Sequence, residues 1–205
     1  VNEIGIAVIG QSGHIAPADK KLYALRDVTA TVENLSLIAS SIMSKKLAAG
    51  SDAILLDVKC GKGAFMKSEE DAKALAELMC KIGSSQGKKT AAIISDMSEP
   101  LGHAVGNSLE VIEAIELLKG NIKGDLLKLC LNISAAMIYL GGGAIGIEEG
   151  FALAENAISS GRALQKLAEM IEYQGGNKLV IDDYSLFPKA EIYSEIKAES
   201  SGYIE

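Results

Sequence analysis

Positive charge is in short supply in this sequence: 20 Lys and Arg stand against 27 Asp and Glu, for a net charge of -7. Affinity for a phosphate backbone or an anionic membrane surface rests on clustered Lys and Arg. The balance therefore excludes a general binder of nucleic acid or of such membranes, and any anionic substrate must be met locally. Cysteine is scarce as well. Cys60, Cys80 and Cys130 are far apart, with no CxxC and no His at zinc-site spacing, so neither a disulfide framework nor a metal cluster is expected, and a reducing cytoplasm is the expected compartment. Long apolar runs are missing too. LLKLCLNISAAMIYL at 126–140 is interrupted by Lys128 and Asn132 and falls short of the roughly 20 residues that cross a bilayer, so it reads as a core helix. No signal peptide is legible. The phosphate-loop pattern Gly-x-x-x-x-Gly-Lys-Ser/Thr is absent; GKG at 61–63 lacks that layout, and GGG at 141–143 reads as a flexible connection between helices.

What is there suffices for a folded core. With 205 residues, 48% hydrophobic and 23% charged, the chain can form one domain, or one domain and a small lobe. EIGIAVIG (3–10) is a short β-branched run closed by Gly and reads as a buried strand, followed by the loop GQSGHIAPAD. A short helix is expected near 18–25, then a break at RDVTAT, where Asp and Thr favour caps and turns. From Val32 to Leu47, Leu35, Ile38, Ile42 and Met43 recur at helical spacing, and Gly50 supplies a stop.

SDAILLDVK (51–59) and KKTAAIISD (88–96) read as two further strands, separated by a helix that Ser68 and Asp71 open as a capping box. Asn107 and Glu110 are expected to cap a helix running to Leu118. Helices near 123–139, 147–159 and 161–173 follow, with NKLVIDD as a late strand. This alternation predicts an α/β fold: a mostly parallel sheet covered by helices, with a small helical lobe inserted at 18–48 between the opening segment (1–17) and the remainder (49–205).

The lobe concentrates chemistry. Lys20, Lys21, Arg26, Lys45 and Lys46 outweigh Asp19, Asp27 and Glu33 by two charges. Ser41 and Lys45, four residues apart on a helix, share one face, and Arg26 lies in the preceding break from which it can fold back. A hydroxyl, an ammonium and a guanidinium together suit a planar ligand bearing carbonyl oxygens and an N–H. Taken alone, Ser and Lys at this spacing more often mark a solvated helix face.

The run GQSGHIAPADKKLYALRDVTATVENLSLIASSIMSKKLAAGSDAILLDVKCGKGAFM, continued by SDMSEPLGHAVGNSLEVIEAI, resembles the thymidine and pyrimidine-nucleoside phosphorylase family. Its members split a pyrimidine nucleoside with inorganic phosphate into the free base and a pentose 1-phosphate. The resemblance implies that the R-x14-S-x3-K pattern at Arg26, Ser41 and Lys45 holds the pyrimidine ring, with Arg26 and Lys45 also catalytic, and that Tyr23, Val32, Ile38 and Phe65 wall the pocket. It further implies a potassium ion held by the carbonyls of Leu101 and Ala104 and the carboxylate of Glu113, and a homodimer formed through the helical lobe. Without it, Glu113 is a surface helix residue, and His103 in the same loop reads as structural or solvent-facing.

The family's glycine-rich segment, with the Lys, Ser and Thr that cradle phosphate, precedes the matched region and is not in this sequence, nor is the family's C-terminal domain. The chain opens on Val1 and closes on SSGYIE, and both ends are expected to be cut, leaving about the middle half of such an enzyme. Two functions stay open: a pyrimidine-nucleoside phosphorylase of which this is a part, or a non-catalytic remnant serving as a dimerisation or base-binding module. A related phosphoribosyltransferase is disfavoured, because that fold needs no such base-binding triplet.

Overall fold

The computed structural model describes residues 1–10 and 15–202. Two helices come first. Pro17, whose missing N–H costs nothing at a helix start, opens α1 (Pro17–Val28), and Thr29 closes it by donating both its N–H and its hydroxyl to Leu25 O. The connection 29–34 ends at Asn34, whose Oδ1 accepts from Leu37 N at 3.1 Å and caps α2 (Leu35–Ala48).

Strand β1 (Ala53–Cys60) then leads through α3 (Glu69–Ser85) to β2 (Lys89–Asp96), which pairs with β1 in parallel from Ala53 opposite Lys89 to Cys60 opposite Asp96. A parallel pair needs such a crossover. Ser68 caps α3 by accepting from Asp71 N at 3.1 Å, as its spacing predicts. The alternation of a strand sends Ile54, Leu56 and Val58 to one face, where they bury against Ala72, Leu75, Ala76 and Met79 of α3 and Ala39 and Met43 of α2. That core fixes α2, and with it Ser41 and Lys45, against the sheet layer.

The remaining helices are α4 (Asn107–Leu118), α5 (Asp125–Leu140), α6 (Ile147–Ser159) and α7 (Arg162–Tyr173), followed by two single 3-10 turns at Lys178–Ile181 and Tyr184–Leu186. The chain divides into two compact units, one of 8–100 and 127–156 and another of 1–7, 101–126 and 157–205. In the first, α5 and α6 touch so closely at Gly150 that a Cβ there would sit 2.6 Å from Ala135 O. In the second, Tyr184 donates its hydroxyl proton to Glu116 while Lys119 Nζ donates to Tyr184 Oη at 2.9 Å, fastening the final turn to the end of α4. No helix among the described residues is long and apolar enough to cross a membrane.

Four expectations are corrected. Residues 3–10 form a turn and irregular backbone, with Ile6, Val8 and Ile9 exposed; among the described residues only β1 and β2 make a sheet. An apolar β-branched run marks a strand only if a neighbouring strand takes its backbone hydrogen bonds, and no described strand forms a ladder with residues 3–10. The late strand at NKLVIDD is instead 3-10, because Asn177 and Asp183 turn their side chains onto Leu179 N and Ser185 N. Helix α1 runs three residues beyond its expected end, since Arg26, Asp27 and Val28 contain no breaker and Thr29 provides the stop. Gly106, at φ 126°, precedes α4 in place of Asn107, while Glu110 Oε1 accepts from Gly106 N at 3.0 Å. The loop expected after residue 10 lies partly outside the described residues.

Candidate functional site

Extending α1 to Val28 puts Asp19, Tyr23 and Arg26 at i, i+4 and i+7, a single face of that helix. The face opposes Ser41 and Lys45 of α2. Lys45 Nζ donates to Asp19 Oδ2 at 2.7 Å and to Ser41 Oγ at 2.9 Å, joining the two helices through one ammonium group. Burial alone would raise the Asp19 carboxyl; hydrogen bonds from Lys45 and Ser41, with the charges of Lys45 and Arg26, outweigh it and hold the group below the usual carboxylate value.

Arg26 is 6% exposed. Its Nε and Nη1 donate to the carbonyls of Thr31 and Leu37 at 3.4 Å each, and Nη2 donates to Val32 O. The guanidinium thus pins the 29–34 connection, and its carbon lies 5.0 Å from the Tyr23 ring centroid. A guanidinium has five N–H donors, so by count one N–H remains on each terminal nitrogen.

These groups line a single cavity of about 480 Å3 within the larger unit. Tyr23, Arg26, Val32, Ile38, Ser41, Lys45 and Phe65, all named from the sequence, contribute to its wall. Phe65 stands 72% exposed on the turn after β1. That turn is shaped by Gly61, at φ 120° with Ser98 Oγ only 2.3 Å from where a Cβ would lie. Asp19, Lys20, Ala24 and Ile42 also line the cavity and were not singled out from the sequence. The i, i+4, i+7 stripe was the available signal for Asp19, hidden by ending α1 at residue 25.

The other residues named from the sequence belong to the second unit, in the loop 101–106 and α4. Glu113 Oε1 accepts from His103 N at 2.7 Å and Ala104 N at 3.3 Å, and Gly102 leaves no room for a Cβ beside the same carboxylate. Glu113 is therefore a loop anchor and more than a solvated helix residue, while His103 is exposed. Among the described residues no cluster of three or more His, Cys, Asp and Glu could hold a metal ion. The three cysteines are free, and burial pushes the Cys80 and Cys130 thiols up, away from thiolate reactivity.

One cluster was not foreseen. Ser95 donates to Asp57 Oδ1 at 2.5 Å, and Lys59 Nζ donates to Ser95 Oγ at 2.9 Å and pairs with Asp57 Oδ2 at 2.7 Å. One cation and one anion cancel, leaving no surplus charge for a phosphate.

The two leading helices of this α/β scaffold thus line a cavity with ammonium, guanidinium and hydroxyl groups. The chain belongs to the glycosyl transferase family: that family's a/b domain matches residues 1–164. It is 56% identical over 204 residues to the pyrimidine-nucleoside phosphorylase of Geobacillus stearothermophilus, and equally to that of Staphylococcus aureus (strain USA300). Each alignment covers 100% of this chain and 47% of the relative, so the chain spans about half the length of these curated relatives.

Proposed function

We propose that this chain forms the base-binding part of a pyrimidine-nucleoside phosphorylase, which converts thymidine or uridine and inorganic phosphate reversibly into the free base and (deoxy)ribose 1-phosphate. The observation that carries the reading is the meeting of Arg26, Ser41 and Lys45 in one cavity walled by Tyr23, Val32, Ile38 and Phe65. Names given to relatives at 56% identity support it.

The chemistry follows from the leaving group. As the glycosidic bond breaks, negative charge grows on the pyrimidine ring and its carbonyl oxygens. Donors fixed before that charge appears stabilise the transition state more than the neutral ground state. Lys45, held by Asp19 and Ser41, and Arg26, held by three carbonyls, supply two fixed cations. Ser41 reads the N3 edge of the ring. Leu101, Ala104 and Glu113 would hold a potassium ion, whose charge would brace the loop that Glu113 anchors. A homodimer through α1 and α2 and a cytoplasmic location belong to the same reading.

The test is a phosphate-dependent assay on the complete natural polypeptide containing this chain, following uracil from uridine and thymine from thymidine, with and without potassium. Release of base that requires phosphate is the expected result. Binding of uracil without turnover in that polypeptide would establish the other reading, a base-binding module without catalysis.

A further inference from the structure

Phe65 owes its place in the cavity wall to a stretch of chain that does not itself line the cavity. Its neighbours Ala64 and Met66 are buried while Phe65 is exposed, so the turn after β1 is fastened on either side of the ring and presents the ring outward. Within the turn, Ala64 N donates to Gly61 O at 3.0 Å and Gly61 N donates to Met66 O at 3.0 Å. From outside, the turn is held by the residue that follows β2. Met97 N donates to Cys60 O at 2.6 Å, and Gly63 N donates to Met97 O at 2.9 Å. Two glycines permit this approach, since a Cβ on Gly63 would lie 2.7 Å from Met97 O and one on Gly61 would lie 2.9 Å from Asp96 Oδ1.

The direction of the Met97 carbonyl depends in turn on one side chain. Asp96 ends β2, and its Oδ1 accepts from Ser98 N at 2.9 Å, the side-chain turn that Asp favours. That bond bends the backbone through Met97 and aims the carbonyl that Gly63 reaches. We propose that Asp96 is a positioning residue for Phe65: by fixing the turn 96–98 it fixes the turn 61–66, and so sets how firmly the aromatic ring is presented to a ligand it never touches itself. The consequence for the reaction is specific. Phe65 has no polar atom and meets a pyrimidine by apolar contact, which is made in the ground state and the transition state alike. Uniform binding of that kind acts on KM and leaves kcat, in contrast to the cationic donors Arg26 and Lys45. Acting through Phe65, Asp96 inherits the same signature.

This inference rests on the base-binding reading above, and the experiment separates the two. The complete natural polypeptide is compared with Asp96→Ala, Asp96→Asn, Phe65→Ala and the double variant Asp96→Ala/Phe65→Ala. For each, kcat and KM for uridine are measured at saturating phosphate, and the dissociation constant of free uracil by calorimetry. Asp96 is exposed, so its truncation leaves the core intact. Phe65→Ala should raise KM and the uracil dissociation constant about 10- to 100-fold, the loss of one large apolar contact. Asp96→Ala should raise both about 3- to 10-fold, the loss of one hydrogen bond, with kcat little changed. Asp96→Asn keeps an oxygen for Ser98 N and should stay near wild type. Once Phe65 is gone, Asp96→Ala should add nothing. An Asp96→Ala effect that is just as large without Phe65, that falls on kcat, or that Asp96→Asn reproduces overturns the proposal by making Asp96 a general support or a distant charge. Unchanged KM and uracil affinity in Asp96→Ala overturn it too. Unaltered uracil affinity in Phe65→Ala overturns the proposal and removes Phe65 from the base-binding reading. Failure of the unaltered polypeptide to bind uracil overturns that reading and the proposal with it.

Discussion

Lys45 Nζ lies 2.7 Å from Asp19 Oδ2, and that contact joins the last turn of α2 to the first turn of α1 across 26 residues of chain. The pair is three-quarters or more buried on each side. Its charges are therefore screened little by solvent, and loss of either partner leaves the other uncompensated.

Lys45→Ala should lower kcat/KM for uridine in the complete polypeptide by about 100- to 1,000-fold, the usual loss when one donor to a developing negative charge is removed. Thermal stability should fall as well, because Asp19 loses its partner, so the kinetics are compared at a temperature where the variant is folded. A well-folded variant with unchanged kcat/KM would remove Lys45 from the chemistry.

Arg26→Ala should cost stability as well as turnover, since the guanidinium also holds the carbonyls of Thr31, Val32 and Leu37. Leaving three part-buried acceptors without their donor should cost about 2 to 3 kcal/mol, read from the denaturant midpoint at constant slope. Arg26→Lys should recover little, because an ammonium on a flexible stem cannot span three separate carbonyls. Wild-type stability in Arg26→Ala would show that the connection 29–34 holds itself.

Stability should also carry an acid signature. The Asp19 carboxyl sits below its usual 3.8 in the folded chain, so its contribution is complete above that value and is lost as pH falls through the folded one. Unfolding free energies of wild type and Asp19→Asn, compared from about pH 6 to about pH 2, should converge at the acid end and differ at the neutral end. A constant difference across the range would mean that the carboxyl titrates alike in both states.

Gly61→Ala should destabilise by about 1 to 3 kcal/mol, because the residue combines φ 120° with a Cβ position 2.3 Å from Ser98 Oγ and 2.9 Å from Ser98 N. The displaced turn carries Phe65, so uracil affinity should fall with it. Retained affinity in a destabilised Gly61→Ala would detach Phe65 from the ligand.

Glu113→Gln keeps the shape of the carboxylate but not its charge. The loop should stay anchored through the amide oxygen accepting from His103 N and Ala104 N, while stimulation of the phosphorylase assay by potassium should disappear. Equal potassium response in wild type and variant would exclude Glu113 as a ligand.

Helical periodicity was legible nearly everywhere: α2, α3, α5, α6 and α7 lie within a few residues of where apolar spacing and caps such as Ser68 place them. Local signals decide such elements. Strands depend on partners elsewhere in the chain, and so EIGIAVIG and NKLVIDD were misread while SDAILLDVK and KKTAAIISD, which pair with each other, were not. In the cavity, the residues with a motif could be named in advance. Asp19 was not, because ending α1 at residue 25 hid its i, i+4, i+7 stripe with Tyr23 and Arg26, and because spacing does not encode the fold-back of α1 upon α2. Glu113 was legible only as a possible ligand; that its carboxylate accepts from two backbone N–H groups depends on the course of a loop.

The Asp19–Lys45–Ser41 contact has a consequence for how fast a ligand can be met. A free ammonium in water must shed its hydration shell before it can grip a carbonyl, and that rearrangement slows and weakens capture. Here part of the shell is replaced when the chain folds, because carboxylate and hydroxyl take two of the three ammonium N–H groups. The free energy that keeps the ammonium so placed is the same free energy that holds α1 onto α2. A substitution that loosens the helix pair therefore rehydrates the cation, so tolerance to mutation on the outer faces of these helices is limited by the chemistry inside.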